Sequence, residues 1–159
     1  EVTRAARAVC DRPLLVKLSP NVTDVVAIGR AVANAGADGL TAINTLGPGI
    51  VIDVESGWPI LANRVGGVSG PAIRPIAVRI VYDLAAALDL PIIGTGGVTC
   101  ARDVVEMVMA GATAVGIGSA LVEGGPELFG TIRDDLAEFM REHAYNSIEE
   151  MRGLAHERR

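Results

Sequence analysis

Lys17 is the residue of this sequence best suited to chemistry. It is the only lysine among 14 basic residues, and it interrupts the apolar run 14–18 near its carboxyl end. A cation held at the end of a strand can stabilise negative charge that develops on a bound ring. The alternative is a lysine whose ammonium group only reaches into solvent. The position within an apolar run favours the functional interpretation.

Asn44 and Thr45 end the next apolar run of the sequence. An amide and a hydroxyl together supply donors and an acceptor that can orient a polar heterocycle. Asparagine also tolerates turns and threonine can cap them, so the pair alone leaves both interpretations open. Its place beside the run that ends near Lys17 favours ligand binding. Asn21, after Ser19 and Pro20, predicts either the start of a helix or a substrate contact.

Two glycine-rich turns predict an anion site. The segments 94–97 (GTGG) and 116–119 (GIGS) each end an apolar run and precede a helix. The free N–H groups at a helix start can bind phosphate, and paired turns after the last two strands are the usual phosphate site of eight-stranded barrels. Two tight turns without a ligand are the alternative. A third glycine-rich segment, 66–71, would let the backbone approach a flat ligand closely.

Other kinds of chemistry and partner find little support. His143 and His156 lie in the predicted terminal helices, and Cys10 and Cys100 are far apart without metal-ligand spacing, so neither a hydrolase triad nor a metal site is indicated. A net charge of −5 argues against binding nucleic acid. The apolar runs are shorter than the roughly 20 residues that span a bilayer. We expect a cytoplasmic protein without a bound metal.

Strands and helices alternate along the sequence. Apolar runs predict five strands, at 14–18, 39–44, 65–70, 91–94 and 114–118, and helices are predicted at 22–35, 72–88, 101–110 and 126–143. Apolar strands joined by amphipathic helices predict a parallel sheet covered by helices. The segment 45–64 is predicted to be a long connection, and Ser147 with Glu150 predicts a capping box.

The number of strands predicts an incomplete barrel. An eight-stranded barrel needs about 250 residues, and five strands would leave it open. The sequence also opens within a helical pattern and has no initiator methionine. We therefore expect an α/β fold, the C-terminal portion of a (β/α)₈ TIM barrel with about strands 4–8. Residues 1–159 would form the C-terminal part of a single domain whose N-terminal strands are absent.

The motifs resemble the dihydroorotate dehydrogenase family. They are, in order, KLSPN at 17–21, INT at 43–45, GGVSGPAI at 66–73, IIGTGG at 92–97 and GIGS at 116–119. Their order and spacing are most like those of class 1, and within it of the NAD-linked catalytic subunit. The resemblance implies a C-terminal fragment of an FMN-binding TIM-barrel enzyme.

The resemblance also implies an activity and a set of residue roles. Enzymes of this family oxidise dihydroorotate to orotate in pyrimidine (UMP) biosynthesis, as a base takes the C5 proton and hydride leaves C6 for the flavin N5. Lys17 would contact the flavin near N1 and the C2 carbonyl and stabilise the reduced ring. Asn44 and Thr45 would bind the pyrimidine. The other residues that would hold FMN are Ile43, Gly70, Gly96, Gly97, Gly118 and Ser119.

In the NAD-linked class the base is a cysteine in the N-terminal half of the barrel, and neither Cys10 nor Cys100 matches that position. Electrons would pass to a second subunit that carries FAD and a [2Fe–2S] cluster, within a homodimer or heterotetramer. NAD and fumarate stay open as acceptors. The alternatives are a dihydropyrimidine dehydrogenase-like FMN subunit and a flavin-free, phosphate-binding TIM-barrel enzyme.

Overall fold

The computed structural model describes residues 1–157. Strands and helices alternate through most of this length, as the sequence predicts. The elements are, in chain order, α1 (Val2–Arg7), β1 (Leu15–Leu18), α2 (Val25–Ala33), β2 (Gly39–Ala42), β3 (Leu46–Gly49), β4 (Gly66–Val68), a 3₁₀ turn (Pro71–Ile73), α3 (Arg74–Ala87), β5 (Ile92–Thr95), α4 (Ala101–Met109), β6 (Ala114–Gly116), α5 (Ala120–Gly124), α6 (Leu128–Glu142), a second 3₁₀ turn (Ile148–Glu150) and α7 (Leu154–Glu157).

Four strands form one parallel sheet in the order β1, β2, β5, β6. Lys17 is in register with Thr41, and Leu40 is in register with Ile92. Every crossover advances in the same direction across the sheet. Because parallel crossovers are right-handed, this order places the connecting helices on one face. The predicted α/β fold with a parallel sheet is confirmed.

The two faces of this sheet differ in burial. Alternate side chains of a strand point to opposite faces, and the helix-covered face is buried at Leu18, Leu40, Ala42 and Ile92. On the other face Leu15 is 48% exposed. Lys17, Thr41, Ile93 and Thr95 are also only partly buried or exposed there. Parallel sheets are normally covered on both faces, so the described residues leave one face of this sheet open.

The hydrophobic core lies between the sheet and the helices. Its fully buried members include Leu40 and Ile92 from the sheet, Leu84 from α3 and Met107 from α4. α2 begins where the Asp24 carboxylate accepts a hydrogen bond from the Ala27 N–H at 2.9 Å. The predicted start at residue 22 is therefore slightly early, and Asn21 does not begin this helix.

The predicted strand at 65–70 is not part of the parallel sheet. Its central residues form β4, which pairs with β3 in an antiparallel hairpin. Two of the three β4 residues are glycines, which offer no side chain to bury, and Val68 is 39% exposed. The segment therefore lacks the apolar surface that a central parallel strand needs. The sheet has four strands instead of five, and the segment 45–64 is mostly hairpin.

The C-terminal segment packs against the helix layer. α6 agrees with the predicted helix at 126–143 to within two residues. The Ser147 capping box is wrong: the Glu150 carboxylate accepts from the Asn146 N–H at 3.0 Å, and the Ser147 side chain makes no cap. The His156 ring stacks on Tyr82 with 4.0 Å between centroids. Among the described residues, no helix combines the length and apolarity needed to cross a bilayer.

Candidate functional site

A cavity of about 210 Å³ opens where β1, β2 and β5 end. All nine residues to which the family resemblance assigned a role line it, whereas Asn21, the other residue expected to contact substrate, does not. Four further lining residues were missed, although Ser69 and Thr95 lie inside the glycine motifs. The lining residues are Lys17, Ile43, Asn44, Thr45, Ser69, Gly70, Ile73, Thr95, Gly96, Gly97, Val98, Gly118 and Ser119. The structure brings the predicted site together, and the role of each residue stays a prediction.

Backbone hydrogen bonds fix the strand ends that border the cavity. The Asn44 N–H donates to the Leu18 carbonyl at 2.9 Å, which extends the β1–β2 pairing by one step. The Ile43 N–H donates to the Thr95 carbonyl at 2.8 Å. The Lys17 side chain extends from the open face of the sheet beside these ends. Within residues 1–157 it forms no ion pair, so its charge is available to a ligand.

Asn44 and Thr45 are held in one arrangement by their neighbours. The Asn44 Oδ1 accepts from the Thr45 N–H at 2.9 Å. The Thr45 side chain lies against the Gly67 backbone, where an added Cβ would overlap the Thr45 Oγ1. A glycine at 67 is therefore needed for this approach. In the part of the chain that the structure describes, the Asn44 Nδ2 has no acceptor, so this amide can donate into the cavity.

Asn21 braces the same segment from the β1–α2 loop. Its Nδ2 donates to the Thr45 carbonyl at 3.2 Å, and its Oδ1 accepts from the Gly47 N–H at 3.0 Å. The Ser19 Oγ accepts from the Asn21 N–H at 3.2 Å. The side chain thus binds the backbone that follows Asn44. Sequence reasoning missed this role because the partner is 24 residues away.

The glycine turns present unpaired backbone donors to the cavity. Among the described residues, the N–H groups of Gly97, Val98, Gly118 and Ser119 donate no hydrogen bond. Free backbone N–H groups in turns of this kind can bind anions. A Cβ on Gly118 would meet no atom within 4 Å, so open space lies beside these donors. The arrangement fits a phosphate group.

The turns at Gly70 and Gly97 touch each other. Both have positive φ, at 85° and 73° respectively. A Cβ on Gly97 would lie 2.8 Å from the Gly70 carbonyl oxygen and 2.9 Å from the Arg74 nitrogen. Only glycine permits this backbone contact. The two turns therefore form one surface of the cavity.

The groups that line the cavity at the strand ends are suited to binding a ligand rather than to transferring a proton. The lining contains hydroxyls, amides and one ammonium group, and no carboxylate, thiol or imidazole from residues 1–157. In the same residues no group of three or more His, Cys, Asp or Glu could hold a metal ion. A larger cavity of about 760 Å³ lies among α3, α4 and α6. It contains none of the predicted site residues.

Comparison with known proteins identifies the family. The family model for dihydroorotate dehydrogenase matches residues 1–140. The chain belongs to the dihydroorotate dehydrogenase family. The resemblance seen in the sequence motifs is therefore confirmed. All cavity-lining residues lie within the matched part of this dihydroorotate dehydrogenase family member.

Three relatives of this family member are named as the catalytic subunit of dihydroorotate dehydrogenase B (NAD(+)). The protein of Methanothermobacter thermautotrophicus is 49% identical over 156 residues, which cover 98% of this chain and 52% of the relative. That of Pyrococcus horikoshii is 48% identical over 155 residues, covering 98% and 51%. That of Exiguobacterium sibiricum is 51% identical over 156 residues, covering 98% and 50%. The chain spans about half the length of these curated relatives.

Proposed function

We propose that the intact protein oxidises dihydroorotate to orotate with FMN, in pyrimidine (UMP) biosynthesis. The observation that carries the proposal is the convergence of a cation, an amide donor and unpaired N–H groups at one edge of the sheet, in a chain of this family. Bound FMN supplies the hydride acceptor for this oxidation. The flavin-free alternative needs only the two glycine turns at 94–97 and 116–119, and leaves Lys17 and the segment 66–70 without a role.

The glycine turns would hold the phosphate of FMN. The unpaired N–H groups of Gly97, Gly118 and Ser119 suit an anion, and Gly96 at φ 138° sets the direction of the turn. Ile43 is 2% exposed and, with Gly70, would border the flavin ring. These residues bind and orient the cofactor.

Lys17, Asn44 and Thr45 would act at the reacting end of the cavity. Lys17 places a positive charge where negative charge develops during the oxidation. Asn44 would donate from its Nδ2 to the pyrimidine, and Thr45 would complete that contact with its hydroxyl. No group lining the cavity from residues 1–157 is a thiol, carboxylate or imidazole. We assign the base that takes the C5 proton to a part of the protein outside these residues.

The sheet supports a barrel for the intact protein. Its strands follow one another in order, with helices on one face and an open face that carries Lys17, Thr41 and Thr95. Four further strands would close it into eight and cover that face. We therefore propose that residues 1–159 are the C-terminal half of a single FMN-binding TIM-barrel domain. They would supply strands 5–8 of the barrel, which is one strand fewer than the five predicted from the sequence.

We also propose an electron-transfer partner. The names of the relatives describe a catalytic subunit and NAD(+), which supports NAD as the final acceptor. A second subunit carrying FAD and a [2Fe–2S] cluster would transfer the electrons, within a homodimer or heterotetramer. Reoxidation of the reduced catalytic subunit by fumarate alone would contradict this choice of acceptor.

The activity is tested on the intact protein expressed from its full coding sequence. We expect a bound flavin whose visible absorption is bleached by dihydroorotate in the absence of oxygen. Dihydrouracil serves as the control and should leave the absorption unchanged, because it lacks the carboxylate of dihydroorotate. A colourless protein would favour the flavin-free alternative. Bleaching by dihydrouracil instead would favour the dihydropyrimidine dehydrogenase-like alternative.

Replacing Asn21 with alanine should weaken substrate binding and leave FMN binding unchanged. The variant loses both hydrogen bonds that hold the backbone after Asn44, so the substrate side of the cavity loosens. We expect the KM for dihydroorotate to rise about tenfold, within the range that a displacement of about 1 Å can produce. Steady-state kinetics and FMN titration measure the two effects.

Asn21→Asp separates the two hydrogen bonds, because it keeps the acceptor for the Gly47 N–H and loses the donor to Thr45. Its KM should lie between those of wild type and Asn21→Ala. Asn63→Ala, at an exposed position of the segment between β3 and β4, is the control for loss of an asparagine. An unchanged KM in Asn21→Ala would show that the hydrogen bonds from Asn21 to Thr45 and Gly47 are dispensable for substrate binding.

A further inference from the structure

Asp103 is the only acidic or basic side chain that is buried among the described residues, at 4% exposure. It lies in the first turn of α4 and does not line the cavity at the strand ends. Burying a carboxylate is costly unless partners compensate for the lost water. The identity of its partners therefore indicates what this carboxylate stabilises.

The Asp103 carboxylate is satisfied from two directions. Its Oδ2 accepts from the Thr99 N–H and from the Thr99 hydroxyl, both at 2.8 Å. The Cys100 N–H donates to the same oxygen at 3.3 Å. Its Oδ1 forms an ion pair with the Arg74 guanidinium. The Arg74 Nε also lies 3.1 Å from the Glu106 carboxylate.

These partners do not line the cavity themselves, but each adjoins one of the two glycine turns that do. Thr99 follows the turn that contains Gly96 and Gly97. Arg74 begins α3, directly after the 3₁₀ turn that follows Gly70. Gly97 already touches the Gly70 carbonyl and the Arg74 backbone. The carboxylate thus ties the N–H donors of Gly97 and Val98 to the start of α3.

We propose that Asp103 is a positioning residue for the phosphate of the cofactor, acting through Thr99 and Arg74 to hold the Gly70 and Gly97 turns in register. This inference rests on the proposed function, since it takes FMN as the ligand. An acidic residue in the first turn also stabilises its own helix. The ion pair with Arg74 is a tertiary contact that helix capping alone does not require.

The carboxylate stays ionised across the neutral range. Burial raises the pKa of Asp103, but the hydrogen bonds from the Thr99 backbone and hydroxyl and the charge of Arg74 outweigh it, so the pKa lies below its ordinary value of 3.8. A group with a lowered pKa contributes its full stabilisation above the ordinary value and loses it as pH falls through the lowered one. The interactions of the Asp103 carboxylate with Thr99 and Arg74 are therefore independent of pH in the neutral range.

The test compares FMN with riboflavin, which has the same ring and no phosphate. Apoprotein of the intact enzyme is titrated with each flavin, and quenching of flavin fluorescence gives the two dissociation constants. In Asp103→Asn we expect FMN affinity to fall about tenfold, because phosphate donors leave their positions and charge-assisted hydrogen bonds are lost. Riboflavin affinity should fall by a clearly smaller factor, because Gly70 would border the ring, whereas the phosphate donors take no part in riboflavin binding.

Two further variants make the comparison decisive. Glu106→Gln removes the exposed partner of Arg74 and should leave the ratio of FMN to riboflavin affinity unchanged. Thr99→Val keeps the carboxylate and removes only one hydroxyl donor, so it should lower the ratio by a smaller factor. If Asp103→Asn fails to fold, Thr99→Val tests the proposal instead. An unchanged ratio of FMN to riboflavin affinity in Thr99→Val would then overturn the role of Asp103.

The possible outcomes separate the two proposals. Wild-type apoprotein that binds neither flavin would overturn the proposed function. If wild type binds FMN, and Asp103→Asn has the same ratio of FMN to riboflavin affinity as wild type, only the role of Asp103 is overturned. An equal loss of affinity for both flavins would also overturn it, because a general structural defect does not depend on the phosphate.

Discussion

Replacing Lys17 with methionine should slow the bleaching of the bound flavin by dihydroorotate by a factor of about 10²–10³. Methionine keeps the unbranched apolar stem of the side chain and removes the charge. Lys17 is exposed on the open face of the sheet, so its loss should not disturb the core. The effect arises because a fixed cation favours the transition state, in which negative charge develops, more than the ground state. Anaerobic stopped-flow absorbance measures the rate.

Two comparisons control this experiment. Arg30→Met removes an exposed cation from α2 and should leave the rate unchanged. Lys17→Arg keeps the charge in a planar, bulkier group and should recover only part of the rate. FMN affinity should be unchanged in Arg30→Met and should fall by a much smaller factor than the rate in the two Lys17 variants. A Lys17→Met protein that bleaches within twofold of the wild-type rate would remove Lys17 from the chemistry.

Replacing Gly97 with alanine should lower both stability and FMN affinity. The backbone φ of 73° at this position is unfavourable for alanine, and the added Cβ would press on the Gly70 carbonyl and the Arg74 nitrogen. We expect the free energy of unfolding to fall by about 1–3 kcal/mol, the usual cost of such strain. Urea denaturation of the intact apoprotein measures this change.

Gly118→Ala is the matched substitution for Gly97→Ala. No atom lies within 4 Å of its added Cβ and its φ is not positive, so unfolding should change by less than about 0.5 kcal/mol. FMN affinity should nevertheless fall, because the methyl group occupies space beside the phosphate donors. If Gly118→Ala destabilises the apoprotein as much as Gly97→Ala, strain is not the cause of either effect. Unchanged FMN affinity in Gly118→Ala would place the phosphate elsewhere.

Local patterns in the sequence were sufficient to predict that Lys17, Asn44 and Gly96 share the site, whereas Ile43 and Gly70 were assigned to it by the resemblance to the family. Lys17, Asn44 and Gly96 each follow or end an apolar run, and the carboxyl ends of parallel strands meet at one edge of a sheet. That argument needs only local patterns and the expectation of a parallel sheet. It does not depend on knowing any distance in advance.

Long-range pairing explains what the sequence did not predict. The β3–β4 hairpin depends on the pairing of Leu46 with Val68, and its glycine-rich strands carry no alternating pattern. The brace from Asn21 to Thr45 and the ion pair from Arg74 to Asp103 join distant segments through single side chains. Among these residues only Asp103 has a local signal in the sequence. It lies three positions after Cys100, the residue that precedes α4, where an acidic side chain is typical of a helix start.

The hairpin has both of its ends at the cavity, since Thr45 precedes β3 and Ser69 follows β4. Its outer part exposes large apolar side chains such as Val54 and Trp58, at 86% and 72%. Mutation of that outer part alters side chains that residues 1–157 leave uncovered, while the pairing of Leu46 with Val68 keeps the two ends in place. Natural selection can therefore change the binding partners of the outer hairpin without altering the reaction. The hairpin is a segment in which association and catalysis can evolve separately.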